Sequence, residues 1–403
     1  MSSVFNRSLS RRAFGRGLIQ SAASLAIGGS LLQTSQLVAA SASPISIGPL
    51  GEPDANGLRL PEGFSSRVVA TSGRRVANSL YRWHTFPDGG ATFATDDGGW
   101  VYVSNSEVPV RGGVGALRFN AAGEIVDAYP ILRGTNINCA GGPTPWGTWI
   151  SCEEFERGYA WECDPLGQLK AIKRPALGMF KHEAVAIDPI LGHVYLTEDE
   201  PDGNFYRFIA AGHIGERLNL DEGQLQVASV DASGYVNWID VPNPEPKLLL
   251  GESATRHQVA DATVFKGGEG IWYHQGLVYF TTKGDNRVWE LDTQSQQLAI
   301  IYDDDVSPTP ILTGVDNVTV SERGSVLVGE DGGDMQIVVL TADRSVSPLV
   351  QVVGQDGSEI TGPALSPDGS RLYFSSQRGT LSRRATSGRG ITYEVTGPFN
   401  SIL

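Results

Sequence analysis

Short runs of aromatic and β-branched residues, each closing on polar or acidic groups, recur along the chain. They are Trp100-Val-Tyr-Val-Ser-Asn-Ser-Glu107, Thr148-Trp-Ile-Ser-Cys-Glu-Glu154, His193-Val-Tyr-Leu-Thr-Glu-Asp199, Leu277-Val-Tyr-Phe-Thr-Thr-Lys283, Ser325-Val-Leu-Val-Gly-Glu-Asp331 and Arg371-Leu-Tyr-Phe-Ser-Ser-Gln377. Such runs predict strands. From the second run to the sixth, the last residues stand 45, 84, 48 and 46 apart. A second marker precedes most of them: Cys139-Ala-Gly-Gly142, His182-Glu-Ala184, Gly268-Glu-Gly270, Asp316-Asn317 and Gly362-Pro-Ala364, with Ala91-Thr-Phe-Ala-Thr95 as the weakest member. Measured at Cys139, Glu183, Glu269, Asp316 and Gly362, its steps are 44, 86, 47 and 46. A shared period of this size predicts a β-propeller of four-stranded blades. The fold class is therefore all-β, with six blades. The doubled step predicts an insertion within residues 200–266, between the third and fourth blades. Outer strands are expected at Arg287–Asp292 and Gln336–Leu340, and a tight turn at Ser366-Pro-Asp-Gly-Ser370. Two β-sandwiches would not give equal steps through both halves, so residues 43–403 are expected to form one domain.

Ahead of the repeat, Ser10-Arg11-Arg12-Ala13-Phe14 is a twin-arginine pattern, followed by an apolar run from Leu18 to Leu32 and small residues over 37–42. This predicts a cleaved Tat signal over residues 1–42, hence a periplasmic or secreted protein that meets the Tat export machinery. Gln20, Ser21, Gln33 and Gln36 interrupt the apolar run and weigh against a lasting membrane anchor. The 49 glycines and 22 prolines suit a turn-rich β-chain, and 40% hydrophobic residues suffice for a core. Formal net charge is −14, and loss of Arg7, Arg11, Arg12 and Arg16 with the leader takes it to −18. Such a surface excludes nucleic acid and anionic membranes as partners. It also repels anionic substrates unless bound cations reverse the local field. The three cysteines are an odd number; a Cys152–Cys163 bridge with Cys139 free and three free thiols are both open.

In a propeller the innermost strands surround a channel, so Cys139, Glu183, Glu269 and Asp316 are expected to converge from separate blades. The strand ends add Glu153, Glu154, Glu198, Asp199, Glu330 and Asp331. Carboxylates so crowded repel one another and titrate upward unless cations join them. Many hard oxygen ligands suit calcium, and a lone thiolate points to a transition metal. Blander roles compete: Asp316-Asn317 as a turn cap, Glu330-Asp331-Gly-Gly as a loop end, His84 and His182 as core or rim residues, and Asp303–Asp305 as a solvated loop. No phosphate loop, nucleophile elbow or HExxH motif is present.

The run Cys139-Ala-Gly-Gly-x-Thr-Pro-Trp-Gly-Thr-Trp-x-x-Cys-Glu-Glu154 resembles the PhoX-type alkaline phosphatase family, also catalogued as a domain of unknown function. His182-Glu-Ala-Val-Ala-Ile-Asp188, Tyr195–Asp199 with Asp202–Phe208, Glu269-Gly270 and Asp316–Val320 extend the likeness from about residue 50 to 380. The resemblance implies a six-bladed propeller that hydrolyses phosphomonoesters, small-molecule phosphate esters, with Fe3+ and Ca2+. It implies Cys139, Glu154 and Glu269 as catalytic groups and Cys139, Glu153, Glu154, Glu183, Glu198, Glu269, Asp316 and Glu330 as metal ligands, with Cys139 on iron. Two positions depart from the family pattern: Lys266-Gly-Gly268 stands where an arginine is expected, and the last blade ends Ser376-Gln377-Arg378-Gly379. Arg207, Lys266 and Arg378 are the candidate substrate clamps, since Arg grips phosphate bidentately. Rival expectations are a calcium-dependent lactonase or phosphotriesterase and a non-catalytic calcium-binding scaffold.

Overall fold

The computed structural model describes residues 47–380 and 389–403. The expected signal segment, residues 1–42, lies outside the described residues. Six antiparallel sheets follow one another as blades: Pro87–Thr135, Asn138–Lys173, His182–Asp240, Gly268–Asp303, Val315–Val352 and Ile360–Thr396. Their innermost strands are Pro87–Ala94, Asn138–Pro143, His182–Asp188, Gly268–His274, Val315–Val320 and Ile360–Leu365. Each packs against the next, and the last packs against the first, which closes the ring. The seam is completed by an early strand, Ser65–Thr71, which pairs with Ile391–Thr396 as the outer strand of the sixth blade. Buried Glu394 fastens that seam by accepting hydrogen bonds from Arg67, Arg371 and Tyr373, each at 2.7 Å.

The blade strands read as nearly continuous apolar runs because both faces of each sheet are covered. In the first blade, Val101 and Val103 pack with Trp149 and Cys163 of the second, whereas Trp100 and Tyr102 pack with Tyr373 of the sixth. Strand alternation sends neighbouring residues to opposite faces, so one strand feeds two interblade cores. Six apolar clusters result among the described residues, one at each junction between blades. Cys152 and Cys163 fall in two different clusters, and all three cysteines are free thiols, which excludes the Cys152–Cys163 bridge.

The doubled step is filled in pieces. Phe205–Ala210 and Gly223–Val230 are the third blade's own third and fourth strands. The additions are a small hairpin, His213–Ile214 with Arg217–Leu218, a fifth strand Val236–Asp240, and a connection over 241–267 with two short 3-10 turns.

Near the axis each inner strand has the same irregularity. Its register shifts between Pro87 and Gly90, Asn138 and Gly141, His182 and Val185, Gly268 and Ile271, Val315 and Val318, and Thr361 and Ala364. A bulge of this kind bends the strand and re-aims a side chain. Glycine beside the bulge lets blades close tightly: a Cβ on Gly142 would lie 1.8 Å from the Val185 carbonyl oxygen of the next blade. Gly142→Ala is therefore expected to cost about 3 kcal/mol or more of stability, as overpacking against backbone does. Guanidinium denaturation checks this, and an unchanged midpoint would contradict it.

Candidate metal centre

Asp88, Cys139, Glu183, Glu269 and Asp316 lie in the bulges of the first five inner strands, and Gly362 holds that place in the sixth. The second strands of the blades end on a matching set, since the residues that follow them are Glu107, Glu154, Asp199, Lys283, Asp331 and Gln377. These sets come together at one end of the ring. Cys139, Glu154 and Glu183 bring ligand atoms within 4.8 Å of one another, as do Glu183, Glu269 and Asp316. Asp316, Asp331 and Glu359 form a third such group, and Asp88, Glu107 and Glu359 a fourth. Neighbouring groups share a member: Glu183, Asp316 and Glu359 each serve two. The result is a continuous arc of potential ligand sites.

Burial and mutual repulsion dominate the electrostatics. Desolvation first, and neighbouring carboxylates second, push Asp88, Glu183 and Glu359 well above the ordinary carboxylate range. Glu154 is raised to about 8, by burial and then by Glu107, against the pull of Lys181. The same causes raise the Cys139 thiol, so it has no local reason to ionise without a cation beside it. Glu183 is the sharpest case. It is 0% exposed, and neither of its carboxylate oxygens has a hydrogen-bond partner among the described residues. A buried carboxyl left so is costly, and with a thiol and further acids alongside, this donor set fits metal ions.

Among the described residues, three cations enter the acid arc. The Lys181 amine lies 3.0 Å from Glu154 and 2.7 Å from Asp199. Lys283 Nζ lies 2.9 Å from Glu269, 3.1 Å from Asp316 and 3.4 Å from Asp331. Arg378 is 2.8 Å from Glu359. The Gln377 carboxamide donates to Asp88 and Glu107 at 2.5 and 2.6 Å.

Of the residues expected from sequence, Cys139, Glu154, Glu183, Glu269, Asp316 and Arg378 are brought together. Glu153, Glu198 and Glu330 are not. Glu153 accepts from the amides of Asn136 and Tyr159 and from the Trp161 indole. Glu198 accepts from the Asn204 amide and the Tyr206 hydroxyl, with Arg256 beside it. Glu330 accepts from the amides of Thr313 and Gln336. These three hold loops together, and strand alternation explains why: in Glu153-Glu154, Glu198-Asp199 and Glu330-Asp331 only the second residue reaches the arc. Arg207 lies on the third strand of its blade, bonded to Gln226 and stacked over Trp238 at 4.5 Å, away from the arc. Lys266 is exposed, and the amine that reaches the acids is that of Lys283. His182 is a core residue stacked on Phe180 and bonded to the Gly178 carbonyl, with its pKa lowered to about 4 by burial. His84 is likewise held at about 3 by burial.

Asp88, Glu107 and Glu359 escaped the sequence reading. Asp88-Gly89-Gly90 carried a signal, a glycine pair after the key residue as in Cys139-Ala-Gly-Gly142, and Glu107 ends the first strand-like run. Glu359 had none, because it precedes its strand and not the bulge.

The raised carboxyls make metal-free stability depend on pH. A folded-state Glu154 near 8, against about 4.5 in an unfolded chain, keeps a proton that the unfolded chain has released. Stability is then fully present at the acid end and declines as pH rises through the interval up to about 8. Chelated protein is expected to melt several degrees lower at pH 8 than at pH 5 (an interval set by those two values), and added calcium to remove or reverse the slope. Equal melting temperatures in chelator at both pH values would contradict this.

The sequence profile of the family described as alkaline phosphatase PhoX matches residues 89–379. A sequence search of curated proteins finds no match. Among solved structures, Pseudomonas fluorescens PhoX in complex with vanadate, a transition state analogue, aligns with a TM-score of 0.70 at 18% identity, covering 87% of this chain and 98% of that one. A gluconolactonase from Xanthomonas campestris aligns at 0.49 and 11% identity over 88% of this chain and 99% of that one. Calcium-binding regucalcin from Agrobacterium tumefaciens aligns at 0.49 and 14% identity over 83% and 96%. The profile spans well over half of the chain and takes in every residue of the acid arc except Asp88, immediately before it; the protein belongs to the PhoX alkaline phosphatase family.

Proposed function

We propose that the protein is an exported phosphatase that hydrolyses phosphate monoesters with bound iron and calcium. The observation that carries this reading is the arc of ligand groups, which starts at a thiol and continues through oxygen donors alone. Cys139, Glu154 and Glu183 would hold iron, since soft thiolate belongs with a transition metal. Glu269, Asp316, Asp331, Glu359, Asp88 and Glu107 offer the hard oxygens calcium prefers. When bound, such cations supply Lewis acidity toward a phosphoryl oxygen.

The chain's own residues have distinct tasks. Glu183 and Glu359 each touch two ligand groups and so fix the spacing between neighbouring sites. Gln377 donates to both Asp88 and Glu107, which fixes the two carboxylates side by side in the arc. Arg378 is the residue placed to grip substrate. Its side chain is 18% exposed and is paired with Glu359. Once a cation takes over the Glu359 charge, the guanidinium has donors free for phosphate oxygens. An anionic ester suits this cationic rim better than a neutral lactone does, and a purely structural calcium site has no need of a half-buried arginine at its mouth. The twin-arginine leader fits export of a chain loaded with metal before it crosses the membrane. No helix among the described residues is long and apolar enough to span a membrane.

The test combines metal analysis with hydrolysis of a chromogenic phosphomonoester. Wild-type protein is expected to contain iron and calcium and to turn over. Cys139→Ala is expected to lose iron and at least about a hundredfold in kcat, the scale of removing a metal function. Arg378→Ala is expected to lose about ten- to hundredfold in kcat/KM while keeping its metals, as loss of one charge-assisted hydrogen bond implies. Calcium without iron or turnover would support the scaffold reading, and activity confined to lactones or phosphotriesters would support the other hydrolase.

A further inference from the structure

Lys283 stands at a position of the repeat that otherwise favours acids. The six residues that follow the second strands are Glu107, Glu154, Asp199, Lys283, Asp331 and Gln377, so one amine and one carboxamide interrupt four carboxylates. The backbone holds the lysine in place. It opens a 3-10 turn, Lys283–Asp285, its amide donates to the Gly267 carbonyl at 2.8 Å, and the Gly284 amide donates to the Lys266 carbonyl at 2.9 Å. From there the side chain enters the arc where two ligand groups meet, and its Nζ faces Glu269, Asp316 and Asp331 at 2.9, 3.1 and 3.4 Å. An ammonium has three donors and no acceptor, and here three carboxylates surround it. Lys181 differs, pairing with two acids among the described residues, Glu154 and Asp199.

We propose that the Lys283 ammonium is a built-in cation that takes the place of a divalent ion where the group of Glu183, Glu269 and Asp316 meets that of Asp316, Asp331 and Glu359. The corner made by Glu269, Asp316 and Asp331 is then neutralised by the chain itself and takes no divalent ion. This inference rests on the metal-dependent reading above and narrows it: the centre binds one ion fewer than its carboxylates could accept. A tethered single charge also differs from a calcium ion in kind. It stays when free calcium falls, and it neutralises less of the surrounding acid.

The experiment counts metal. Lys283→Gln and Lys283→Glu proteins, dialysed to equilibrium against calcium, are expected to hold one more calcium per chain than wild type, with iron unchanged. The glutamate restores at this position the acid found at Glu154 and Asp331. Unchanged or lower calcium in both folded variants overturns the proposal. A second measurement uses the wild-type chain, in case neither variant folds. With acetic anhydride labelling and mass spectrometry, Lys283 is expected to stay protected in calcium and in chelator alike, whereas exposed Lys170 and Lys247 react in both. Labelling of Lys283 that appears on calcium loading means an ion has displaced the amine and overturns the proposal. Wild-type protein that binds neither iron nor calcium overturns the underlying metal reading and this inference with it; metal bound in wild type with the count unchanged in both variants overturns this inference alone.

Discussion

Six sheets each press a bulged strand toward one axis, and most of the side chains those bulges carry are acids. Repulsion in that confined space is the constraint from which the rest of the centre follows. Burial prevents water from screening the charges, so each carboxyl can keep its proton, pair with a cation of the chain, or bind an ion. All the first two solutions are visible: protonation is favoured at Glu183, and Lys181, Lys283 and Arg378 pair with Glu154, Glu269 and Glu359. Glu183 finds no hydrogen-bond donor for either oxygen among the described residues. It is the position where an external ion gains most.

The period of the chain was legible because a propeller repeats one supersecondary unit, and each unit must place the same kinds of residue at the same stations. That is why two markers with matching steps located the blades, and why Cys139, Glu183, Glu269 and Asp316 were found on their inner strands. The period said less about which neighbour in a pair of acids reaches the channel. Glu153 and Glu154 are adjacent, yet a pleated strand sends them to opposite sides, and only register decides which is which. Counting back from the end of the pairing ladder resolves it: Glu153, Glu198 and Glu330 are still paired across to Asn138, His182 and Val315, and the arc is reached by the next residue.

What the repeat could not reveal belongs to the places where it is broken. Glu359 enters the arc from outside the shared pattern, and its blade has Gly362 at the bulge where the other five carry acids or a thiol. The seam was also invisible, because Ser65–Thr71 joins a blade whose other strands begin only at Ile360, as its pairing with Ile391–Thr396 shows. Such a pairing has a large loop-closure cost, and nothing local in the sequence advertises it.

Seam and centre are physically linked. The group formed by Asp88, Glu107 and Glu359 draws two ligands from the first blade and one from the sixth, so it straddles the junction where the ring closes. Gln377 of the sixth blade already bridges it by bonding Asp88 and Glu107, and Thr361 of the same blade donates to the Pro87 carbonyl at 2.7 Å. A cation bound there would cross-link the two ends of the ring at the axis, opposite the clasp that Arg67 and Arg371 make on Glu394 at the outer strands. Ion binding to the native ring alone stabilises it by mass action. Closing the fold and completing the centre are thus one event at this junction: the ligands meet only when the seam is shut, and an ion that holds them keeps it shut.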